Sequence, residues 1–179
     1  MGSGERDRCV LLCGLMGSGK SRVGRALASR LHWEFRDTDE SVERAAGMKI
    51  SEIFARDGEA AFRLLESEAL RALPTHGCVI ALGGGAVVSA ENRRVLREKG
   101  TLVWLDARAE TLVDRMGDSQ KRPLLAGLDR AGRIAKLEQL RAERLGAYSE
   151  ADLHVQTDGM EVQEAAAAVH AALVGQSAA

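Results

Sequence analysis

The chain has 179 residues, a formal net charge of −1 at pH 7 and 45% hydrophobic residues. This length suits one compact domain with a single core. The near-neutral charge excludes a general electrostatic attraction to nucleic acid or to an anionic membrane, and no apolar run approaches the roughly 18 residues of a membrane span. We therefore expect one domain over residues 1–179, in a soluble, cytoplasmic protein that recognises anions only at a local site.

The first predicted strand, residues 9–13, leads directly into Gly14-Leu15-Met16-Gly17-Ser18-Gly19-Lys20-Ser21. This string matches all four fixed positions of a phosphate-binding loop, and the amphipathic residues 20–31 supply the helix that such a loop requires. Its glycines let successive N–H groups turn toward a polyphosphate, which the helix N-terminus also faces. Lys20 is expected to reach the β- and γ-phosphates, and Ser21 to offer its hydroxyl to Mg²⁺, which prefers hard oxygen ligands.

Asp37-Thr38-Asp39 follows a second predicted strand, residues 33–36. Both carboxylates are expected near the mouth of the phosphate-binding loop, where one could serve a metal ion. The other could orient an acceptor hydroxyl and take its proton. Asp and Thr are also good helix N-caps, so a purely structural role before a predicted helix over residues 41–46 has equal weight.

Arg63 and Glu66 lie three residues apart in the second of two further predicted helices, residues 51–56 and 59–73. On one helical face, the carboxylate can hold the guanidinium in a fixed orientation. An arginine held in this way can grip a substrate carboxylate through two parallel N–H···O bonds. A surface ion pair is the commoner explanation of such a spacing.

Gly83-Gly84-Gly85 ends a third predicted strand, residues 78–82. Backbone without side chains allows a ligand to approach closely and exposes N–H donors to it, and the carboxyl end of a strand is where ligands of parallel sheets bind. A loose connecting loop is the alternative.

Short apolar strands alternate with helical stretches along the chain, which predicts an α/β domain with a parallel sheet covered on both faces. Ser89 is predicted as the N-cap of one helix and Gly100 as the residue after its end. The remaining predicted elements are helices over residues 90–99, 109–116, 130–148 and 160–174, and strands over residues 101–105 and 153–155.

Residues 117–127 combine cations with Gly and Pro and lack helical or strand periodicity, so they are predicted to form a mobile loop or lid. The cysteines, Cys9, Cys13 and Cys78, lack metal-ligand spacing and are predicted to be buried thiols.

Taken together, the motifs resemble the shikimate kinase family over residues 10–155. The resemblance rests on the phosphate-binding loop, Asp37-Thr38-Asp39, the segment from residue 50 to Glu66, the triple glycine, Arg122-Pro123-Leu124-Leu125, and Arg144 with Tyr148. It implies a three-layer P-loop kinase fold with a parallel five-stranded sheet and a mobile lid. It also implies transfer of the γ-phosphoryl group of ATP to the 3-hydroxyl of shikimate, with Mg²⁺ as cofactor. We expect a monomer, and the charge and the short apolar runs predict neither nucleic-acid nor membrane partners.

The resemblance also implies a role for each matching residue. Lys20, Asp39 and Arg122 are then catalytic, and Ser21 and Asp37 hold Mg²⁺. The acceptor region spans residues 37–66 and contains two of the residues that bind shikimate, Asp39 and Arg63. The other two are Gly84 and Arg144. The residues that bind ATP are Gly17, Ser18, Gly19, Lys20, Ser21, Arg22, Arg115, which lies along the adenine, and Arg122, which the lid brings onto the phosphates.

The residues alone lead only to phosphoryl transfer from a nucleotide to a small, hydroxylated, anionic acceptor. Two alternatives stay open at this point: a kinase of similar fold that acts on another anionic polyol such as gluconate, and a nucleotide-binding module that signals its bound state to a partner protein. The second is disfavoured by Lys20, Asp37, Asp39 and Arg122, which a module without catalysis does not need.

Overall fold

The computed structural model describes residues 8–117 and 123–176. Within these ranges, strands and helices alternate along the chain, as predicted. The strands are β1 (Cys9–Cys13), β2 (Glu34–Asp37), β3 (Cys78–Ala81), β4 (Gly100–Asp106) and β5 (Leu153–Gln156). The helices are α1 (Lys20–Leu31), α2 (Thr38–Ala46), α3 (Ile50–Arg71), α4 (Ala90–Lys99), α5 (Ala109–Met116), α6 (Arg130–Tyr148) and α7 (Val162–Gln176).

The strands form a five-stranded sheet in the order β2-β3-β1-β4-β5, with every neighbouring pair parallel. Successive side chains of a strand point to opposite faces. In the central strand β1, Cys9 and Leu11 therefore join a buried cluster with residues of α3 to α6, whereas Val10 and Leu12 join a cluster with α1 and α7. The sheet is the middle of three layers, which confirms the predicted α/β architecture.

The carboxyl ends of β1, β2 and β3 place the sequence motifs together. The phosphate-binding loop follows β1, Asp37 ends β2, and the triple glycine follows β3. Because all of these strands are parallel and adjacent in the sheet, the three motifs meet at one edge.

Several predicted boundaries near this edge need correction. The strand predicted over residues 33–36 is β2, one residue later, and the helix predicted over residues 41–46 begins at Thr38. The reason is that Asp37 ends the strand and caps the helix at once. The break predicted between the helices over residues 51–56 and 59–73 is confirmed, because α3 consists of two helical segments that meet at Gly58, whose φ of 81° and ψ of 176° are not helical, and only the outer ends shift, to Ile50 and Arg71.

Three further predictions agree with the structure only in part. The last helix is α7 rather than residues 160–174. Gly100 follows the end of α4 as predicted, and its N–H donates to the Leu96 carbonyl, but it is extended and also opens β4, where a Cβ would collide with the Cys9 carbonyl. Within the predicted lid, Pro123–Leu125 forms a 3-10 turn and the side chain of Leu125 is fully buried. Residues 118–122, including Arg122, lie outside the described residues.

The prediction of buried thiols is confirmed. Cys9, Cys13 and Cys78 are all buried and free. Burial raises the pKa of the Cys13 thiol to about 12, so it remains protonated at neutral pH. Across residues 8–117 and 123–176, none of the helices is both long and apolar enough to cross a bilayer.

Candidate active site

The phosphate-binding loop has a backbone that requires its glycines. Gly14, Gly17 and Gly19 have φ values of 139°, 82° and 88°, in the region that side chains disfavour. A Cβ on Gly17 would lie 2.7 Å from the carbonyl oxygen of Leu112, so the loop also packs closely against α5. The loop therefore has a fixed shape before any ligand binds.

Lys20 spans this loop. Its Nζ donates to the carbonyl oxygens of Gly14 at 2.9 Å and Leu15 at 3.0 Å. Ser18 is 1% exposed, and its hydroxyl has no hydrogen-bond partner within the described residues. A cation and a hydroxyl donor thus accompany the main-chain N–H groups of the loop, a set of donors suited to phosphate oxygens.

Asp37 caps α2 and also contacts the other predicted magnesium ligand, Ser21. Its Oδ1 accepts a hydrogen bond from the Asp39 N–H at 3.0 Å, which caps α2, and its Oδ2 accepts one from the Ser21 hydroxyl at 2.7 Å. The two predicted magnesium ligands are therefore already in contact. A hydroxyl and a carboxylate are the hard oxygen donors that Mg²⁺ takes in nucleotide sites, so this pair fits that ion.

Asp39 occupies the first turn of α2 and faces a crowded acidic corner. Burial, followed by the nearby charges of Asp37 and Glu66, raises its pKa to about 6, and the positive charge of Lys20 opposes this rise. A Cβ on Gly83 would lie 2.8 Å both from Asp39 Oδ1 and from Glu66 Oε1, so only glycine fits beside these carboxylates. Asp39 is held at the cleft with little solvation of its own.

Arg63 is fixed by two carboxylates. Its NH1 donates to Glu66 Oε2 at 2.8 Å and its NH2 to Glu59 Oε1 at 3.0 Å. Glu66 is only 2% exposed, so this pair is more than the surface ion pair that the spacing alone allowed. The second carboxylate was missed, although Glu59 lies four residues before Arg63 on the same helical face, a spacing that could have revealed it.

Arg144 and the triple glycine are brought together from distant parts of the chain. The NH1 group of Arg144 donates to the carbonyl oxygen of Gly84 at 2.8 Å, and the Tyr148 hydroxyl donates to the same oxygen at 2.8 Å. Arg63 approaches from the other side, since a Cβ on Gly85 would lie 2.7 Å from its NH1. Two guanidinium groups thus flank the peptide between Gly84 and Gly85.

Arg115 of α5 contacts the segment that follows β5. Its NH1 donates to Thr157 Oγ1 at 3.0 Å, and its NH2 to the carbonyl oxygens of Thr157 and Met160 at 2.5 and 3.3 Å. Sequence reasoning assigned no residue of this segment, because the pattern after β5 was too weak. Asp158 in the same segment accepts hydrogen bonds from the Arg108 N–H and from the Thr111 hydroxyl, which ties the segment to the start of α5.

One cleft of about 1320 Å³ connects these groups. Its lining includes both the residues predicted for the nucleotide and those predicted for the acceptor. The predicted site residues that line it are Gly17, Ser18, Gly19, Lys20, Ser21, Arg22, Asp37, Asp39, Arg63, Gly84, Arg115 and Arg144. Arg122 is outside the described residues. The cleft can hold a polyphosphate beside an anionic, hydroxylated molecule.

Comparison with known proteins agrees with this chemistry. The family model for shikimate kinase matches residues 16–174. The chain belongs to the shikimate kinase family. It is 42% identical over 170 residues to the shikimate kinase of Geobacter metallireducens, with 94% of this chain and 93% of the relative aligned. It is 46% identical over 164 residues to that of Symbiobacterium thermophilum, with 89% and 92% aligned.

Solved shikimate kinases share the fold. The enzyme of Acinetobacter baumannii, solved in complex with shikimate, superposes with a TM-score of 0.87 at 32% identity, covering 96% of both chains. The shikimate kinase of Aquifex aeolicus superposes with a TM-score of 0.78 at 33% identity, covering 94% of this chain and 98% of that one. The shikimate kinase family is a family of ATP-dependent kinases, so this chain is a phosphotransferase of the shikimate pathway.

Proposed function

We propose that this chain transfers the γ-phosphoryl group of ATP to the 3-hydroxyl of shikimate, producing shikimate 3-phosphate and ADP. The observation that carries the proposal is the single cleft in which the phosphate-binding loop, Asp39 and two arginines, Arg63 and Arg144, face one space. An acceptor that carries both a carboxylate and hydroxyl groups satisfies these side chains together. The complex of the Acinetobacter baumannii enzyme with shikimate supports this acceptor.

The nucleotide is held on the loop side of the cleft. The N–H groups of residues 17–19, Lys20 and the start of α1 with Ser21 and Arg22 bind the phosphates, and Arg115 with the Thr157 segment lies along the adenine. Lys20 exchanges its loop carbonyls for phosphate oxygens and stabilises the negative charge that spreads over the transferring group.

Ser21 and Asp37 would hold Mg²⁺, which supplies positive charge to the β- and γ-phosphate oxygens when bound. Ser21 and Asp37 contribute oxygen atoms that are already oriented toward each other. Asp37 is fixed because its other oxygen caps α2, so the carboxylate does not have to be ordered when the nucleotide binds.

The acceptor is held by its carboxylate and oriented by a base. Arg63 and Arg144 bind the carboxylate, with the main chain at Gly84 beside them. Asp39 orients the 3-hydroxyl and takes its proton while the hydroxyl oxygen forms a bond to the γ-phosphorus and the bond to the bridging oxygen of ADP breaks.

The lid over residues 117–127, with Arg122, closes over the phosphates and excludes water, which would otherwise compete as acceptor. We further propose one kinase domain over residues 1–179, with the acceptor region near residues 37–66, acting as a cytoplasmic monomer that binds ATP and shikimate.

A coupled assay of ADP release tests the proposal with ATP, Mg²⁺ and either shikimate or gluconate at millimolar concentration. We expect turnover with shikimate and none above the acceptor-free background with gluconate. Lys20→Ala should lose turnover yet retain shikimate binding. The proposal fails if shikimate neither binds nor stimulates ADP release, and turnover of gluconate alone would identify a kinase for another polyol.

A further inference from the structure

The glycine loop, residues 83–88, is held in place by side chains from several elements. The Gly83 N–H donates to Thr38 Oγ1 of α2 at 2.9 Å. From α4, Asn92 Nδ2 donates to the Ala86 carbonyl at 3.1 Å, and Arg93 NH1 donates to the carbonyls of Val87 and Val88. The glycine loop is therefore built to keep one conformation, which a loose connection would not require.

Helix α6 contributes two hydrogen bonds to this loop among the described residues, and both go to the carbonyl oxygen of Gly84. Arg144 NH1 and the Tyr148 hydroxyl both lie 2.8 Å from its oxygen. A carbonyl oxygen has two lone pairs, so these donors saturate it without competing. Tyr148 is fully buried, and its ring stacks on Trp104 of β4 at a centroid distance of 5.5 Å, so the hydroxyl has little freedom to move.

The orientation of this carbonyl decides where a neighbouring donor points. The peptide between Gly84 and Gly85 is trans, as is every described peptide bond, so the Gly85 N–H points opposite to the Gly84 carbonyl. Within the described residues, the N–H groups of Gly84 and Gly85 have no hydrogen-bond partner. Both glycines line the cleft. Rotation of this peptide would change the main-chain donors offered to the acceptor.

Arg144 has to serve the Gly84 carbonyl and an incoming carboxylate with one guanidinium. Arg63 keeps Glu59 and Glu66 as partners, and Arg144 already donates one of its five N–H groups to the Gly84 carbonyl in this structure. If Arg144 turns toward an anion, the half-buried carbonyl loses one of its two donors, and the Tyr148 hydroxyl remains as the other.

We propose that Tyr148 is a positioning residue of the acceptor site: its hydroxyl keeps the Gly84 carbonyl bonded when Arg144 turns to the acceptor carboxylate, so the Gly84–Gly85 peptide retains its orientation. This inference rests on the proposed function. It adds a role for a residue that touches neither substrate and acts through Gly84 and Arg144.

The test is Tyr148→Phe, which removes the hydroxyl and leaves the ring. The KM for shikimate should rise about tenfold, the effect of one lost hydrogen bond, while the KM for ATP changes less than about twofold. The matched control is Ser149→Ala, which removes a hydroxyl from the next residue, where it donates to the Gly146 carbonyl on the exposed side. The control should leave both constants unchanged.

A double-mutant cycle separates positioning from a purely structural role. In an Arg144→Ala background, Tyr148 is the remaining α6 donor to the Gly84 carbonyl, so Tyr148→Phe should raise the KM for shikimate at least as much as it does in the wild-type background. Equal losses for both substrates, a smaller effect of Tyr148→Phe in the Arg144→Ala background than in wild type, or an unchanged KM in Tyr148→Phe would overturn the inference. If the wild-type chain does not use shikimate, the proposed function fails instead.

A second variant covers the case in which Tyr148→Phe does not fold. Trp104→Phe keeps the hydroxyl but reduces the surface against which the Tyr148 ring stacks. It should raise the KM for shikimate by about twofold to threefold without changing that for ATP. An unchanged KM for shikimate in this variant would then overturn the inference.

Discussion

The Ser21 hydroxyl donates to Asp37 Oδ2 at 2.7 Å, although the two residues belong to different elements. Ser21 lies in the first turn of α1, and Asp37 ends β2 at the opposite edge of the sheet from β5. Because the second oxygen of Asp37 caps α2, the carboxylate is oriented by the fold. The pair can therefore act as a preformed half-site for a hard cation.

Removal of either member of this pair should weaken the use of Mg²⁺. For Asp37→Ala we expect the Mg²⁺ concentration that gives half-maximal activity to rise roughly tenfold or more, with Ser21→Ala in the same direction. Titration of Mg²⁺ at saturating ATP and shikimate measures this, together with the Mg²⁺-dependent rise in Tm in the presence of ADP. Asp57→Ala removes an exposed carboxylate paired with Arg56 and should change neither. Unaltered Mg²⁺ dependence in Asp37→Ala would exclude the pair as a metal site.

Arg63→Ala should weaken shikimate binding by roughly 1.5–3 kcal/mol, the range for a hydrogen bond to a charged group, and leave ATP affinity nearly unchanged. The reason is that the guanidinium lies on the acceptor side of the cleft, held by Glu66 and Glu59. Calorimetric titration with shikimate and with ATP measures the change in affinity for each ligand. Arg56→Ala is the matched control, because Arg56 also lies in α3 and, within the part of the chain that the structure describes, pairs only with the exposed Asp57. A comparable loss for both ligands would contradict the clamp.

Asp39→Asn should separate activity from stability. Loss of the proton acceptor should lower kcat roughly 100-fold or more, with little change in KM. The same change removes a buried negative charge from beside Asp37 and Glu66, so Tm at neutral pH should rise. Steady-state kinetics and thermal unfolding in Mg²⁺-free buffer measure the two effects. Full turnover in this variant would remove Asp39 from the role of base.

Asp158 should stabilise the protein in a pH-dependent way. Burial raises its pKa, but hydrogen bonds from Thr111, Gln156 and Arg108 outweigh this and hold the pKa below its ordinary value of 3.8. Because the folded value lies below the unfolded one, the stabilisation is complete above the unfolded pKa and is lost as pH falls through the folded value. The free energy of unfolding of the wild type should exceed that of Asp158→Asn by about 0.5–1.5 kcal/mol at pH 7, and this difference should shrink toward pH 3.

Urea unfolding at both pH values measures this difference. Asp114→Asn is the control on α5, because its side chain is 63% exposed and, among residues 8–117 and 123–176, pairs only with Arg130. The free energy of unfolding of Asp114→Asn should match that of the wild type within error at either pH. A gap between wild type and Asp158→Asn that stays constant from pH 7 to pH 3 would rule out the ionised form as the source of the stabilisation.

Much of the fold follows from local pattern. The predicted bounds of β1, α1, α4, α5 and α6 agree with the structure to the residue. In α4 the predicted N-cap is also observed, since Ser89 Oγ accepts from the Asn92 N–H at 3.4 Å. Periodicity and caps depend on residues within one or two turns, so the sequence alone carries this information.

Prediction failed where one residue serves two elements. Asp37 closes β2 and caps α2, whereas the predicted strand ended at residue 36 and the predicted helix began only at residue 41. Gly100 caps α4 as predicted, but it also opens β4, and the Cys9 carbonyl beside it leaves no room for a side chain. The pairing of Asp37 with Ala81 and the closeness of Gly100 to Cys9 depend on neighbours far along the chain, so local pattern does not reveal them.

The sequence by itself determined which chemical groups the cleft contains: the phosphate-binding loop, the acidic pair, the triple glycine and the arginines. Only the tertiary structure decided how they meet. Arg144 lies 60 residues from the Gly84 carbonyl that it contacts, and Arg115 lies 42 residues from Thr157. Such contacts arise when parallel strands align their carboxyl ends and helices pack across them, and local periodicity does not report the register of that packing. The raised pKa of Asp39 has the same origin, because its burial and its acidic neighbours are properties of the assembled site.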